Sequence, residues 1–492
     1  MIVKNEEKFL RGCLESVKKI TDEIVIVDTG STDKTLEIAN EFGAKIYHFQ
    51  WINDFSAARN YALSKSEGDW ILYLDADERI TPESVPEILS IIQTNKRAAV
   101  FCKIDSKIKN IEETNIIKYS RLFKNEKGIS FEGKIHEQIL PSLRRLGYES
   151  INSDITIQHL GYDLNTEEIH KKAERNLKYL LDELKENYTA YNVFKTAQTY
   201  DSLGDKDKAN NYFTEVLNFD DCIPIFKAFS YYYIAKSFFE ENNFNAALEI
   251  IKKSLLLDET LSYVHYLSAW CNYKLGDYEQ AQNSCVKSHV CNLYNVNDFF
   301  DLKIPQRDIL VLGLNSSISS LNRKAYNYFY EELLKFPQKG SQEDFYFKTI
   351  YTIINQLEFD GADICDLSVL SEKSSVLPLI KIMSEYKILD DRLLLLERMR
   401  RVYTQIDYLE EVYAKSLNEA GDFNASSKIL EKLLLKNNIS PSIYFYLVSA
   451  YVMNKELQKA FNLLGKAEQL FDNSPDILAK IKSIRQKISI NY

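Results

Sequence analysis

Short β-branched apolar runs punctuate the first third of the chain. Each gives way to a polar loop and then to a stretch whose apolar residues recur every three or four positions. The runs predict strands over residues 1–3, 23–27, 45–49, 70–74 and 98–104, and the periodic stretches predict helices near 9–20, 34–42, 55–63 and 82–94. Buried strands alternating with helices imply an α/β domain on a mostly parallel sheet. Such sheets bind ligands beyond the carboxyl ends of their strands, so chemistry is expected in the residues that follow each strand.

From about residue 170 the pattern is almost wholly helical and a short motif recurs. LGDKDKA at 203–209 is echoed by LGDYEQA at 275–281, with looser copies ENNFNAA at 241–247, AGDFNA at 420–425 and NKELQKA at 454–460. The steps from Asn242 to Gly276 and from Gly421 to Lys455 are both 34 residues. That period, with a turn residue five positions before a small one, resembles tetratricopeptide repeats. The small side chain lets the second helix of a pair approach the first, and stacked pairs share one core. The expected division is an α/β domain over 1–168, repeats over 169–294, degenerate helical repeats over 295–400 where the motif fades, and repeats again over 401–492. Most of the aromatics, such as those at 229–233 and 326–330, are expected to pack helix pairs, with the remainder lining a concave peptide-binding face.

Composition narrows the class without changing this division. A 492-residue chain that is 45% hydrophobic and 27% charged, with only 9 Pro, reads as several folded, helix-rich domains. Its 61 basic residues against 71 acidic ones leave a net charge of −10, which argues against nucleic acid as a partner. The seven cysteines are scattered and free of CxxC spacing, as expected of reduced thiols in a cytoplasmic protein. The opening MIVKNEEKFL does not read as a secretory signal, and apolar runs such as 309–314 are far short of the roughly 18 residues that a membrane span needs.

The string VDTGST at 27–32 admits two readings. In an aspartic protease, Asp-Thr-Gly sits in an all-β lobe and needs a second, equivalent Asp to share a proton. Here DKTLEIANEFG at 33–43 follows as a helix, with Ser31 or Thr32 expected to cap it, Asp33 in its first turn and Gly43 closing it, and no second Asp-Thr-Gly occurs. Asp28 then stands at the carboxyl end of a strand beside a Gly-containing loop, as a ligand contact or as a turn residue. WILYLDADE at 70–78 is a second strand that runs into acids. At such a strand end Asp75 and Asp77 can both address one divalent cation when a diphosphate supplies the remaining oxygens.

Taken in order, IVKNEE at 2–7, IVIVDTGSTD at 24–33, FSAARN at 55–60 and LDADE at 74–78 resemble the family 2 glycosyltransferases of the GT-A fold. The repeats narrow the resemblance to bacterial members that carry tetratricopeptide repeats, among them peptide-modifying enzymes such as the glycocin S-glycosyltransferases. The resemblance implies a GT-A, Rossmann-like α/β domain followed by an all-α tetratricopeptide-like domain. It implies a metal-dependent, inverting transfer of a sugar from a nucleotide-sugar, UDP-linked, to a peptide or protein side chain. The first strand is shorter here than the family's, as if clipped or preceded by further residues.

Specific roles follow from the same resemblance. Asp28 contacts uracil or ribose, Glu7 lies near the base, and Asn5, Ser31 and Ala76 complete the donor cradle. Arg59 reaches toward ribose or diphosphate and Asp75 touches sugar or ribose. Asp77 binds Mn²⁺ or Mg²⁺ and is catalytic through it. FEGKIHE at 131–137 and HLGY at 159–162 match later segments of the family, making His159 a further metal ligand and His136 a metal or sugar contact. An inverting transfer needs a base to take the acceptor's proton, and Glu137 is the first choice, Asp105 the second. The repeats would hold the acceptor or dimerise the enzyme. Two other readings stay open: an enzyme acting on a cell-envelope or lipid-linked saccharide, and a repeat scaffold with a non-catalytic α/β domain. If the repeats recruit the acceptor, removing residues 170–492 is expected to spare donor hydrolysis and abolish transfer.

Overall fold

The computed structural model describes residues 1–492 apart from 95, 108–113, 161–165, 295–303, 338–340, 358–375, 437–439 and 492. Gly161, Tyr162 and Cys365 therefore lie outside the described residues. The chain packs as two units, Met1–Ile309 and Leu310–Tyr492.

The opening segment alternates as its pattern requires: β1 (Ile2–Val3), α1 (Leu10–Val17), β2 (Val25–Asp28), α2 (Thr35–Glu41), β3 (Lys45–His48), α3 (Phe55–Ser64) and β4 (Trp70–Leu72). The chain continues through β5 (Glu78–Ile80), α4 (Val85–Ile92), β6 (Ala98–Lys107), β7 (Thr114–Lys124), α5 (Leu140–Arg145) and β8 (Glu149–His159). Two sheets result. One has the order β1-β2-β3 and is parallel; the other has the order β4-β7-β6-β8-β5. In the second only β6 and β8 run parallel, while β4–β7, β6–β7 and β5–β8 are antiparallel. The mostly parallel expectation thus holds for the first sheet and is corrected for the second, because β6 and β7 neighbour each other directly instead of crossing over through a helix.

Burial follows the apolar positions. Val100, Cys102, Ile104, Leu122, Ile155 and Ile157 form the core of the second sheet with Cys13 and Val17 of α1, and Val3, Leu10, Leu14 and Ile26 pack the first. A cavity of about 350 Å³ lies between β2 and β4, lined by Met1, Val25, Arg59, Trp70 and Leu72 among others. The start of α2 differs from expectation. The helix begins at Thr35, one turn later than Ser31, with Lys34 at the N-cap and no side-chain cap bond, and Asp33 just before it accepts the Thr35 N–H at 3.0 Å. Gly43 ends it at φ +69° as expected.

Helices α6 (Thr166–Glu186), α7 (Ala190–Ser202), α8 (Lys206–Val216), α9 (Pro224–Glu240), α10 (Phe244–Leu257), α11 (Ser262–Leu275) and α12 (Tyr278–Tyr294) complete the first unit up to α13 (Gln306–Ser320). Their aromatics mostly pack pairs: Phe194, Phe213 and Phe229 are fully buried, and the Phe213 and Tyr233 rings stack at 4.5 Å. In the second unit, α14 (Arg323–Leu333) and α15 (Gln342–Ile354) precede α16 (Leu377–Met383), α17 (Leu389–Val402), α18 (Asp407–Glu419) and α19 (Phe423–Leu435). α20 (Pro441–Met453), α21 (Leu457–Leu470) and α22 (Pro475–Asn491) follow.

One turn recurs through both units. Gly204, Gly276 and Gly421 adopt left-handed backbone near φ +81° to +84°, and Asn242, Lys455, Leu321 and Gln356 adopt it between +56° and +64°. Asp205, Asn243, Asn322 and Asp422 then cap the next helix with their side chains. The turn therefore persists within 295–400, at Leu321 and Gln356, where the motif is no longer visible in the residues. Among the described cysteines only Cys291 is partly exposed and none is bridged. No helix among the described residues is long and apolar enough to cross a membrane.

Candidate functional site

The loops after β1 and β2 are joined by hydrogen bonds that involve three of the expected donor residues, Asn5, Glu7 and Ser31. Asn5, held at φ +58°, accepts the Thr32 N–H on its side chain at 2.8 Å and donates its own N–H to Ser31 Oγ at 3.0 Å. Glu7 accepts the Lys34 N–H at 3.0 Å and donates its N–H to Asp33 at 3.1 Å. Asp28 is buried, and its carboxylate accepts the N–H groups of Ser31 at 2.9 Å and Gly30 at 3.2 Å. Burial pushes its carboxyl up, but these bonds, with His48 at 3.4 Å, hold it below the usual carboxylate range. Asp28 therefore shapes this loop whatever else it touches.

Asp75 and Asp77 follow β4 in the turn that leads to β5. The Arg79 guanidinium donates to the Ala76 carbonyl at 2.8 Å and so fixes the turn. Antiparallel pairing of β5 with β8 sets Glu78 opposite His159, and Leu160 N–H donates to the Asp77 carbonyl at 2.9 Å. In consequence Asp77 Oδ2 and His159 Nε2 lie 3.2 Å apart, each side chain about a quarter exposed. Burial lowers the His159 pKa, but the Asp77 hydrogen bond and the charges of Asp77, Glu78 and Asp75 together more than compensate, leaving it raised.

Arg59, on α3, is 9% exposed and connects the acids. Its Nη2 donates to Asp75 Oδ1 at 2.7 Å and its Nε to Glu137 Oε1 at 2.5 Å, while Nη1 is buried without a hydrogen-bond partner among the described residues. The loop that carries Glu137 is closed by reciprocal Glu132–Gln138 backbone bonds. Asn60 of α3 ties it down, pairing with both the N–H and the carbonyl of Phe131 at 2.7 and 2.9 Å. His136, beside the base candidate, has φ +53°, and its carbonyl accepts from Tyr191 of α7 at 3.2 Å. Asp105 Oδ1 is buried without a partner among the described residues, in the β6 register opposite Gln158.

The profile for Glycosyl transferase family 2 matches residues 1–154. A TPR repeat-containing protein of Synechococcus elongatus is 33% identical over 279 residues, 55% of this chain and 68% of its own length. The chain belongs to the family 2 glycosyltransferases that carry tetratricopeptide repeats. The SPbeta prophage-derived glycosyltransferase SunS of Bacillus subtilis is 30% identical over 179 residues, 36% of this chain and 42% of its own. Among solved structures, S. aureus TarS covers 48% of this chain and 52% of that chain at 16% identity, with a TM-score of 0.30. The chain thus spans under half the length of SunS and about two thirds of the cyanobacterial relative.

Three acidic or basic groups of this glycosyltransferase escaped sequence reasoning. Glu6 is one: burial and then the charges of Asp77, Asp75 and Asp33 push its carboxyl up to about 7, while its N–H donates to Thr35 Oγ1. Those charges connect the two loop systems, since Asp33 belongs to one and Asp75 with Asp77 to the other. Arg121 of β7 and Glu78 of β5 are 9% and 1% exposed and pair at 2.6 Å beneath Asp75. Burial pushes the Asp75 carboxyl up, yet Arg59 and Arg121 hold it well below the usual carboxylate range, and its side chain remains 38% exposed.

The donor set around Asp77 fits a hard divalent ion. Asp77 Oδ2 and His159 Nε2, 3.2 Å apart, are a carboxylate and an imidazole that would together hold Mn²⁺ or Mg²⁺. Among the described residues no group of three His, Cys, Asp or Glu side chains forms a metal cage. An ion held there would draw its remaining ligands from a diphosphate and water, as such ions commonly prefer.

Proposed function

We propose that the chain moves a sugar from a UDP-linked donor to a peptide or protein side chain, with inversion and with a divalent metal. The reading is carried by one observation: Asp77 with His159, and Asp75 with Arg59 and Glu137, converge where the strands of the α/β domain end. Asn5, Glu7, Asp28, Ser31 and Ala76 shape the neighbouring loops that would take the nucleoside. Bound between Asp77 and His159, Mn²⁺ or Mg²⁺ would offset the charge that grows on the departing diphosphate. Arg59, whose Nη1 is buried and unpaired among the described residues, would add its positive charge to the same stabilisation. Glu137 takes the acceptor's proton. Arg59 holds one of its oxygens, so the proton goes to the other.

The peptide acceptor draws support from how the repeats begin. Tyr191 of α7 bonds the His136 carbonyl, and Lys134 meets Glu183 and Glu186 of α6, so the first repeat helices form a wall beside Glu137. An acceptor lying along them would reach the base directly. The test is release of UDP from a panel of UDP-sugars by the full chain with Mn²⁺, beside Asp77→Asn. Turnover that falls about 10²-fold or more in the variant, with its melting temperature unchanged, is expected. Full turnover by the variant would refute the assignment.

A further inference from the structure

The strand register shows why Arg121 reaches the acids at all. Along β6 and β7 the partners are Val100 with Leu122 and then Phe101 with Ser120, so Arg121 is an extra residue without a partner on β6. That is a β-bulge, a device that breaks the alternation of a strand and re-aims a side chain. Here it turns the guanidinium beneath the Asp75 turn. Arg121 Nη2 is 2.6 Å from Glu78 Oε1 and 3.8 Å from Asp75 Oδ2, with the guanidinium 4.6 Å from the Tyr73 ring centroid. Glu78 uses its other oxygen to accept the Asp75 N–H at 2.9 Å. The backbone carbonyl of Arg121 meanwhile accepts the N–H of Tyr73, two residues before Asp75.

Stability does not explain this pair. Burying two charges costs solvation that their attraction scarcely returns, and buried ion pairs are often replaceable by apolar residues without loss. Arg121 Nε is also buried without a hydrogen-bond partner among the described residues. What the pair does achieve is geometric. Asp75 is gripped at its N–H by Glu78, faced at Oδ2 by Arg121 and bonded at Oδ1 by Arg59, which in turn holds Glu137.

We propose that Arg121 and Glu78 are positioning residues that fix the Asp75 carboxylate against Arg59, and through Arg59 set the orientation of Glu137. The proposal rests on the reading of this site as a glycosyl-transfer centre, and it adds two residues that need touch neither donor nor acceptor.

The experiment compares the full-length wild type with Arg121→Met, Glu78→Gln, Glu78→Met and the double variant Arg121→Met/Glu78→Met. Melting temperature, kcat and KM for Mn²⁺-dependent UDP release are measured, with a crystal structure of the double variant. Each Met variant alone strands a buried charge and should lower the melting temperature. The double variant should recover most of that loss while kcat stays about 10²-fold low, the effect of misplacing a reacting group by about an ångström, and KM moves less. Glu78→Gln keeps the bond to the Asp75 N–H and should fall between. In the crystal the 2.7 Å Asp75–Arg59 bond should be lost. A double variant whose kcat returns with its melting temperature, or whose Asp75–Arg59 bond is intact, overturns the proposal. A wild type that releases UDP from no sugar donor defeats the functional reading instead, and the crystal structure still decides the positional claim.

Discussion

Glu137 carries the sharpest expectation at the scale of one residue. If it is the base, Glu137→Gln keeps the Arg59 contact in shape but cannot take a proton, and transfer should fall by about 10²–10⁴. Spontaneous hydrolysis of bound donor, which needs no acceptor proton, should fall less. Parallel assays of transfer and donor hydrolysis decide it: equal losses would mean that Glu137 orients the donor. Residues of this kind were legible because chemistry follows strand ends. Asp28, Asp75 and Asp77 each close an apolar run, and His159 ends one of its own. Arg121 and Glu78 were not legible, because a bulge appears only once two distant strands are paired, and a lone Arg among KYSRLFK has no distinguishing pattern.

Among the elements, β1 to β4 and β6 were readable because each is built on a continuous apolar run, whereas the three-residue β5, Glu-Arg-Ile, has no such run and was not expected. β7 and β8 were missed for opposite reasons. The bulge at Arg121 interrupts the alternation of β7, whereas β8 is an alternating strand, with Ile151, Ser153, Ile155 and Ile157 on one face, hidden by its polar partners. The repeat turns show the converse, since backbone can persist after its residue signature is gone. Lys455 holds the left-handed conformation at φ +64° that Gly421 holds at +84° in the copy 34 residues earlier. A side chain there costs about 1–2 kcal/mol, partly offset by the freedom that glycine gains in the unfolded chain. Lys455→Gly should therefore stabilise the second unit by about 0.5–1 kcal/mol, and Gly421→Lys should destabilise it by a similar amount. Urea titration of the two variants would show the opposite shifts, and equal signs would mean that the turn is set by something other than backbone strain.

For the whole molecule, the position of a truncation matters more than its length. Residues 170–492 include most of α6 and all of α7, whose Tyr179 bonds Asn53 at 3.0 Å, whose Glu183 and Glu186 meet Lys134, and whose Tyr191 holds the His136 carbonyl. Cutting at 168 removes these supports from the loops beside Arg59 and Glu137, so the earlier expectation that donor hydrolysis survives such a cut no longer holds on physical grounds. A chain ending at Ser320 keeps α6 to α13 and every residue assigned to the site. It should release UDP from the donor at a rate within about twofold of the full chain, because reacting groups displaced by less than an ångström lose little. The chain ending at residue 168 should lose at least tenfold. If the acceptor is gripped by helices beyond α13, the Ser320 chain will hydrolyse donor but transfer poorly, with the loss in KM for the acceptor; if it is gripped by α6 to α12, transfer will survive as well. Steady-state kinetics on the three lengths, with one donor and one acceptor, separates these outcomes. Intact hydrolysis by the 168-residue chain would show that the repeats do not hold the base loop in place.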